Sequence, residues 1–161
     1  MDLLDLQTRL QNIDLWEILT PILEKNKDVF VELNKQQLID GQTSKGEGIH
    51  PKYNEDPYFK SKGQARGYAI WKKKLETSGQ IPASTTKSFN TPNLYIKGTF
   101  HSNIYAAVNS FGIEIGAQGF GSDFDQKFHD IFGVTEEHLD EALSDKIIDE
   151  FIEAIYQYIL A

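Results

Sequence analysis

The sequence predicts a single α+β domain over residues 1–161, an antiparallel sheet with N-terminal, central and C-terminal helices packed on it. Three observations lead there. Apolar residues recur every three or four positions near both ends of the chain, the spacing of one buried helix face. Between residues 100 and 117 they recur every second position, on either side of a break containing glycine, as in a hairpin of half-buried strands. A length of 161 residues is that of one domain, enough to bury roughly 70% of the unfolded surface without a metal or disulfide.

The first helical stretch carries Leu3, Leu6, Leu10, Ile13 and Leu15, continued by Trp16, Leu19, Ile22 and Leu23. Asp2 or Asp5 can cap its start, where a carboxylate also suits the helix dipole. Pro21 has no amide hydrogen and restricts its predecessor. The expectation is therefore a kink there or two helices, the second from about Pro21 to Asn34 with Val29, Phe30 and Leu33 buried. Residues 35–57, with Gly41, Gly46, Gly48, Pro51 and Pro57 among polar neighbours, predict turns, Asp40-Gly41 among them. Beyond Pro57, the positions of Tyr58, Phe59, Ala65, Tyr68, Ala69, Trp71, Lys72 and Leu75 predict a helix ending near Gly79. Gly63 and Gly67 weaken its first half, each costing about 1 kcal/mol relative to Ala.

Residues 80–92 are polar and rich in Ser and Thr, and predict a loop. A sheet built on residues 94–117 follows. Leu94-Tyr95-Ile96 is a short apolar run before Gly98, and Phe100, Ser102, Ile104, Ala106 and Val108 then alternate with His101, Asn103, Tyr105 and Ala107. Asn109-Ser110-Phe111-Gly112 breaks the alternation, and Ile113, Ile115 and Ala117 resume it. A short helix is expected from Asp123 to Phe132, ended by Gly133. Thr135 offers a cap with Glu136 and Glu137 in the next turn. A terminal helix from about Ser144 carries Ile147, Ile148, Phe151, Ile152, Ile155 and Ile159 as one stripe. The long segments 35–57 and 79–92 would be unusual as ordered loops of a monomer, so neighbouring subunits are expected to cover them.

Twenty-four acids against sixteen Lys and Arg give a net charge of -8, which opposes non-specific binding to nucleic acid or an anionic membrane. Without cysteine, disulfides, thiolate nucleophiles and Cys-based zinc sites are excluded. Asp2 and Asp5 stand where a signal peptide has its basic end, and no long apolar run follows, so a soluble protein without a leader is expected. The charge is uneven. Lys60, Lys62, Arg66, Lys72, Lys73, Lys74 and Lys87 face one acid, Glu76, whereas eleven acids from Phe120 onward face Lys127 and Lys146. These are either two solvated surfaces or a basic and an acidic face that join identical subunits. A phosphate contact by the basic zone with Tyr68 and Trp71 is the weaker reading.

Chemistry-bearing motifs are sparse. His129, Asp130, Asp123, Asp125 and His138 lie close in sequence, but an EF-hand loop counted from Asp123 would place Phe128 and Val134 where Gly and Glu belong. Glu136, Glu137 and His138 form no HExxH. Gly116-x-x-Gly119-x-Gly121 follows a strand but lacks the lysine of a P-loop and the spacing of a dinucleotide fingerprint. No catalytic, cofactor-binding or metal-ligating residue is assigned, and no cofactor is expected.

Three ordered segments carry a resemblance. Asn34-Lys-Gln-Gln-Leu-Ile-Asp-Gly41 with Gly48-Ile49, Pro51, Tyr53, Tyr58 and Lys62 resembles the opening of a group of small virion proteins from tailed phages that infect Bacteroidetes. Asn93-Leu-Tyr-Ile-Lys-Gly-Thr-Phe100 is similar to that group's "pdLYxTGxFy" segment, and Ile131-Phe-Gly-Val-Thr-Glu-Glu137 to its "IFGLT" segment. The sequence departs from the pattern at Lys97-Gly98-Thr99, where the group has Thr-Gly and then an acidic or polar residue. The resemblance implies a non-enzymatic structural protein of the tailed bacteriophage virion, a head–tail connector, tail-completion or minor structural protein acting as one subunit of a ring. Its implied partners are other phage structural proteins (portal, connector or tail proteins) and copies of itself as a homo-oligomer, with neither direct DNA contact nor a membrane. Its implied location is the virion, and the host cytoplasm during virion assembly. Within that reading Gly98 permits a bend, Phe100 packs against a helix, and Ile131, Phe132 and Gly133 seat the C-terminal loop. A non-viral adaptor or binding module is the alternative expectation, and a small enzyme the third.

Overall fold

A computed structural model describes residues 2–120 and 122–161, at residues 122, 123 and 125 by the backbone alone. The mixed α+β architecture is as the sequence predicts, with several boundaries moved. Helix α1 (Leu3–Asn12) begins at Asp2, whose carboxylate accepts from the Asp5 amide at 2.8 Å. Helix α2 (Leu15–Ile39) begins at Asp14, whose Oδ1 accepts from the amides of Trp16 at 2.9 Å and Glu17 at 3.2 Å. The break expected at Pro21 therefore lies at Ile13-Asp14. A carboxylate that satisfies two orphan amides starts a helix more effectively than a proline ends one. α2 passes through Pro21, and burial of Ile22 and Leu23 just beyond it offsets the lost hydrogen bond.

α2 also runs past Asn34, where the sequence expectation ended it. Asn34, Gln37 and Leu38 are all fully buried, so the polar run from Asn34 to Gln37 is partly interior. The Asp40-Gly41 turn is present, with Gly41 at φ 69° and Ile49 donating to the Gly41 carbonyl at 2.8 Å. Helix α3 (Lys62–Thr77) starts four residues after Tyr58, because the Ser61 hydroxyl caps the Gln64 amide at 3.2 Å while Gln64 Oε1 accepts from the Lys60 amide at 2.8 Å. It ends at Ser78 and Gly79, as expected.

The segments on either side of α3 cover each other. Tyr53 donates its amide to the Asn90 carbonyl at 3.0 Å, the Asn54 amide donates to Asn90 Oδ1 at 3.2 Å, and the Asn90 and Asn54 side chains are hydrogen-bonded. Ile49, Tyr53, Ile81, Ser84 and Thr91 are buried there. These contacts within one chain hold part of both segments, while Phe89 stays exposed.

The sheet is a single antiparallel hairpin, β1 (Ile104–Asn109) and β2 (Gly112–Ala117), in register from Ile104–Ala117 to Asn109–Gly112. It is shorter than the expected 94–117. Leu94–Ile96 forms no strand, and Thr99–Ser102 is a helical turn, α4, held by Asn103 Nδ2 donating to the Thr99 carbonyl at 2.8 Å. Phe100 and Ile104, four apart, share one side of a helical turn as readily as one side of a strand. Two strands alone are marginal in water, and here the hairpin packs against α2.

Helix α5 (Ser122–Lys127) ends before the expected Phe132, and Asp130 at φ 56° belongs to an irregular link. Helix α6 (Glu136–Ala142) is capped by Thr135, as expected. It runs without a gap through a π turn (Leu143–Ile147) into α7 (Ile148–Leu160). The wider turn resets the phase so that Ala142 and Ile147 both reach the core.

Three apolar clusters follow one another. Tyr53, Ala65 and Ala69 gather under α3. Val31, Leu38, Ile49, Phe100, Ile104 and Ile131 form the centre. Ile22, Leu23, Phe30, Ala142 and Ile147 lie between α2 and the α6–α7 run, sharing Ile113 and Ile115 with the centre.

Candidate functional site

Between the first two clusters lies a cleft of about 290 Å³, walled by Tyr53, Tyr58, Phe59, Tyr68, Phe124 and Phe128. Its aromatic wall is built edge to face, Tyr53 meeting Tyr68 at 5.2 Å and 75° and Phe59 at 6.3 Å and 88°. Lys127 and Asp56 both line the cleft and pair at 2.8 Å. The Lys72 side chain reaches it from α3.

Lys72 belongs to a buried polar network. Lys72 is 2% and Glu76 3% exposed, and Asn93 is fully buried. Lys72 Nζ donates to Asn93 Oδ1 at 2.7 Å and to the Tyr95 carbonyl. The Glu76 carboxylate takes Lys87 at 3.1 Å, Lys73 at 3.3 Å and Asn93 Nδ2 at 3.4 Å. Burial, and then the Lys87 charge, push the Lys72 amine down to about 8, against the opposing pull of Glu76. Burial also raises the Tyr53 and Tyr68 hydroxyls. His101, 4% exposed, meets the Tyr95 ring at 4.8 Å and a tilt of 58°, and neither ring nitrogen has a hydrogen-bond partner among the described residues. With the ammonium of Lys72 committed to two oxygens, the network ties α3 to the 93–95 segment. It is a clamp beneath an aromatic cleft.

The basic zone read from the sequence is thereby divided. Lys72 and Lys87 turn inward to this network, while Lys60, Lys62, Arg66, Lys73 and Lys74 are exposed. Tyr68 belongs to the cleft wall and Trp71 lies beside it, ring centroids 5.4 Å apart. Among the described residues no three His, Asp or Glu side chains converge to hold a metal. Asp130 instead pairs with Lys45 at 2.8 Å. The Asp123 and Asp125 side chains and Gly121, singled out in the sequence, lie outside what is described. No helix among the described residues is long and apolar enough to cross a membrane.

The three segments that carry the resemblance meet in the interior. Asn34 Nδ2 donates to the carbonyls of Ile131 at 2.9 Å and Gly133 at 2.6 Å. Gln37 donates to the Gly133 carbonyl at 3.2 Å and accepts from the Thr135 amide at 2.9 Å. Phe100 packs against Phe120 and Phe124, each at 4.8 Å, the latter on α5. Gly98 sits at φ 80°, a bend that favours glycine, and a Cβ there would lie 2.8 Å from Tyr95 Oη and displace that ring. Asn34→Ala is expected to cost about 1–3 kcal/mol, since it orphans the interior Ile131 carbonyl and leaves that of Gly133 with Gln37 alone. Urea unfolding would show the loss as a lower midpoint at an unchanged slope.

The terminal helices differ from this interior. Neither α1 nor α7 has a fully buried residue, and Leu3, Leu4, Leu10, Ile152, Tyr156 and Leu160 are all at least half exposed or nearly so. No protein-family model matches the chain, and no curated protein or solved structure is significantly similar to it.

Proposed function

We propose that this chain is a non-enzymatic structural subunit of a tailed-phage particle, working at the neck or tail by contact with portal, connector or tail proteins and with its own copies. The observation that carries a contact role is the exposed apolar surface of α1 and α7, since surface of this kind is kept for a partner. The phage setting rests on the resemblance of segments 34–41, 93–100 and 131–137. Their residues clamp the interior, so they support kinship in fold and leave the contacting surfaces to other residues. Such a subunit would be made in the host cytoplasm and end in the virion.

The test is genomic position followed by co-expression with the products of adjacent genes. Portal, terminase and tail genes beside this one, and co-purification with a portal, connector or tail protein, are expected. An isolated gene whose product purifies with none of them would overturn the proposal. The aromatic cleft favours a second reading, an adaptor or binding module outside a virion, which that negative result would leave standing.

A further inference from the structure

Two surfaces at opposite ends of the row of clusters complement each other. On α3, Lys62, Arg66, Ile70, Trp71 and Lys74 point outward, and a shallow trough of about 370 Å³ lies between Ile70, Lys73, Lys74, Thr77 and Phe89. Ile70, Trp71 and Phe89 are each more than two-fifths exposed. Lys62, Arg66 and Lys74 have no ion-pair partner among the described residues. Gly67 has open space where a side chain would stand, and Gly63 meets only the Ser61 hydroxyl. Two glycines that each cost an exposed helix about 1 kcal/mol thus fill no need inside the chain, and they leave the α3 backbone open to close approach.

The outward face of α7 has the opposite charge. Ile148, Ile152 and Tyr156, spaced by four, form a ridge that is 44%, 45% and 57% exposed. Asp149 and Glu153 follow Ile148 and Ile152 by one position and are exposed, without a cationic partner among the described residues. α7 packs on α2 and α1, whereas α3 sits on the Tyr53 cluster. Neither face can therefore satisfy the other within one chain.

We infer that a second copy of this chain seats its α7 ridge in the α3 trough, Ile148, Ile152 and Tyr156 against Ile70, Trp71 and Phe89, with Asp149 and Glu153 beside Lys74 and Arg66. This deepens the assembly reading and rests on it. The surfaces differ, so the contact is head to tail, and each added copy leaves one trough and one ridge open until a ring closes. Apolar contact at the centre supplies the affinity, while the surrounding charges steer association and make it sensitive to salt.

Light scattering and sedimentation of the purified chain, over a range of concentration and salt, test it. The wild type is expected to grow in mass with concentration and to dissociate as salt rises. Ile70→Asp and Ile152→Asp, both at exposed positions, should each weaken association at least tenfold while leaving the circular dichroism spectrum unchanged. Mixed together they should give a one-to-one heterodimer that grows no further, because each variant keeps the face that the other has lost. A strict monomer at low salt and high concentration overturns the inference, as does an oligomer that either variant leaves intact, or a mixture that forms no heterodimer. The assembly reading survives each of those results if the chain still purifies with a portal, connector or tail protein. It fails separately if the chain self-associates as inferred yet purifies with none.

Discussion

Glu76→Ala is expected to destabilise the fold by about 3–5 kcal/mol, the range for removing one partner of a buried ion pair. Among the described residues the carboxylate is the single anion beside Lys72, Lys73 and Lys87, and the Lys87 side chain facing it is only 4% exposed. Its removal leaves Lys87 charged in a site with little access to water and takes one acceptor from Asn93. A domain of this size has about 5–15 kcal/mol in total, so the variant is expected to lie near its unfolding threshold. Denaturant titration of Glu76→Ala beside Glu76→Leu/Lys87→Met separates charge from packing. The double variant removes both members of the pair and should recover much of the loss. Equal loss in the two would overturn the ion-pair account, because the double variant restores the side-chain volume and removes the unpaired Lys87 charge. The amine of Lys72, already at about 8, should titrate lower still in Glu76→Gln, since Glu76 is the one group that raises it.

That network was present in the sequence as a pattern but hidden by its chemistry. Ala65, Ala69, Lys72 and Glu76 are spaced four, three and four apart, a single helical stripe, and all four are buried. Lysine and glutamate ordinarily mark the solvent side, because burying a charge is costly unless it is paired. The seven cations between Lys60 and Lys87 therefore suggest one surface, whereas Lys72 and Lys87 are interior. Asn34 and Gln37 were misread in the same way. They continue the spacing of Phe30 and Val31 and precede Leu38, yet the expected helix stops at Asn34. The carbonyls that they satisfy lie almost a hundred residues away, beyond the reach of any local window.

What was legible follows local rules. The hairpin could be read because alternation on either side of the short break at Asn109–Gly112 specifies it within 14 residues. The caps at Asp2, Ser78-Gly79 and Thr135 follow from single side chains or turn residues. The break at Asp14 and the helical turn at Thr99–Ser102 were missed because two local signals competed and the weaker looked louder: Pro21 against Asp14, and alternation against the Asn103 cap. The aromatic cleft could not be read at all. Its walls come from residues 53–68, 92–96 and 124–128, and only the tertiary fold brings these together.

The second large effect is a dependence on pH centred on His101. Burial, with Lys72 and Lys35 nearby, pushes its imidazole down to about 4 from the ordinary 6.5. The folded state thus holds the ring neutral where an unfolded chain would protonate it. Stability from this group is complete above about 6.5, falls as the pH drops through the interval, and levels off below about 4. The gap corresponds to roughly 3 kcal/mol, an effect of the same order as loss of the Glu76 carboxylate. His101→Phe keeps the aromatic contacts with Tyr95 and Phe100 and has no ring nitrogen to leave unpartnered. It should match or exceed the wild type near pH 7 and lose less stability between pH 6.5 and 4. Because the carboxylates are common to both proteins, the difference between their two unfolding curves isolates the histidine. His101→Leu serves if phenylalanine packs poorly. Parallel curves for the wild type and both variants would mean that this ring titrates alike in the folded and unfolded chain. In the wild type, the imidazole proton resonances provide a direct check: those of His101 should hold their neutral shift well below pH 6.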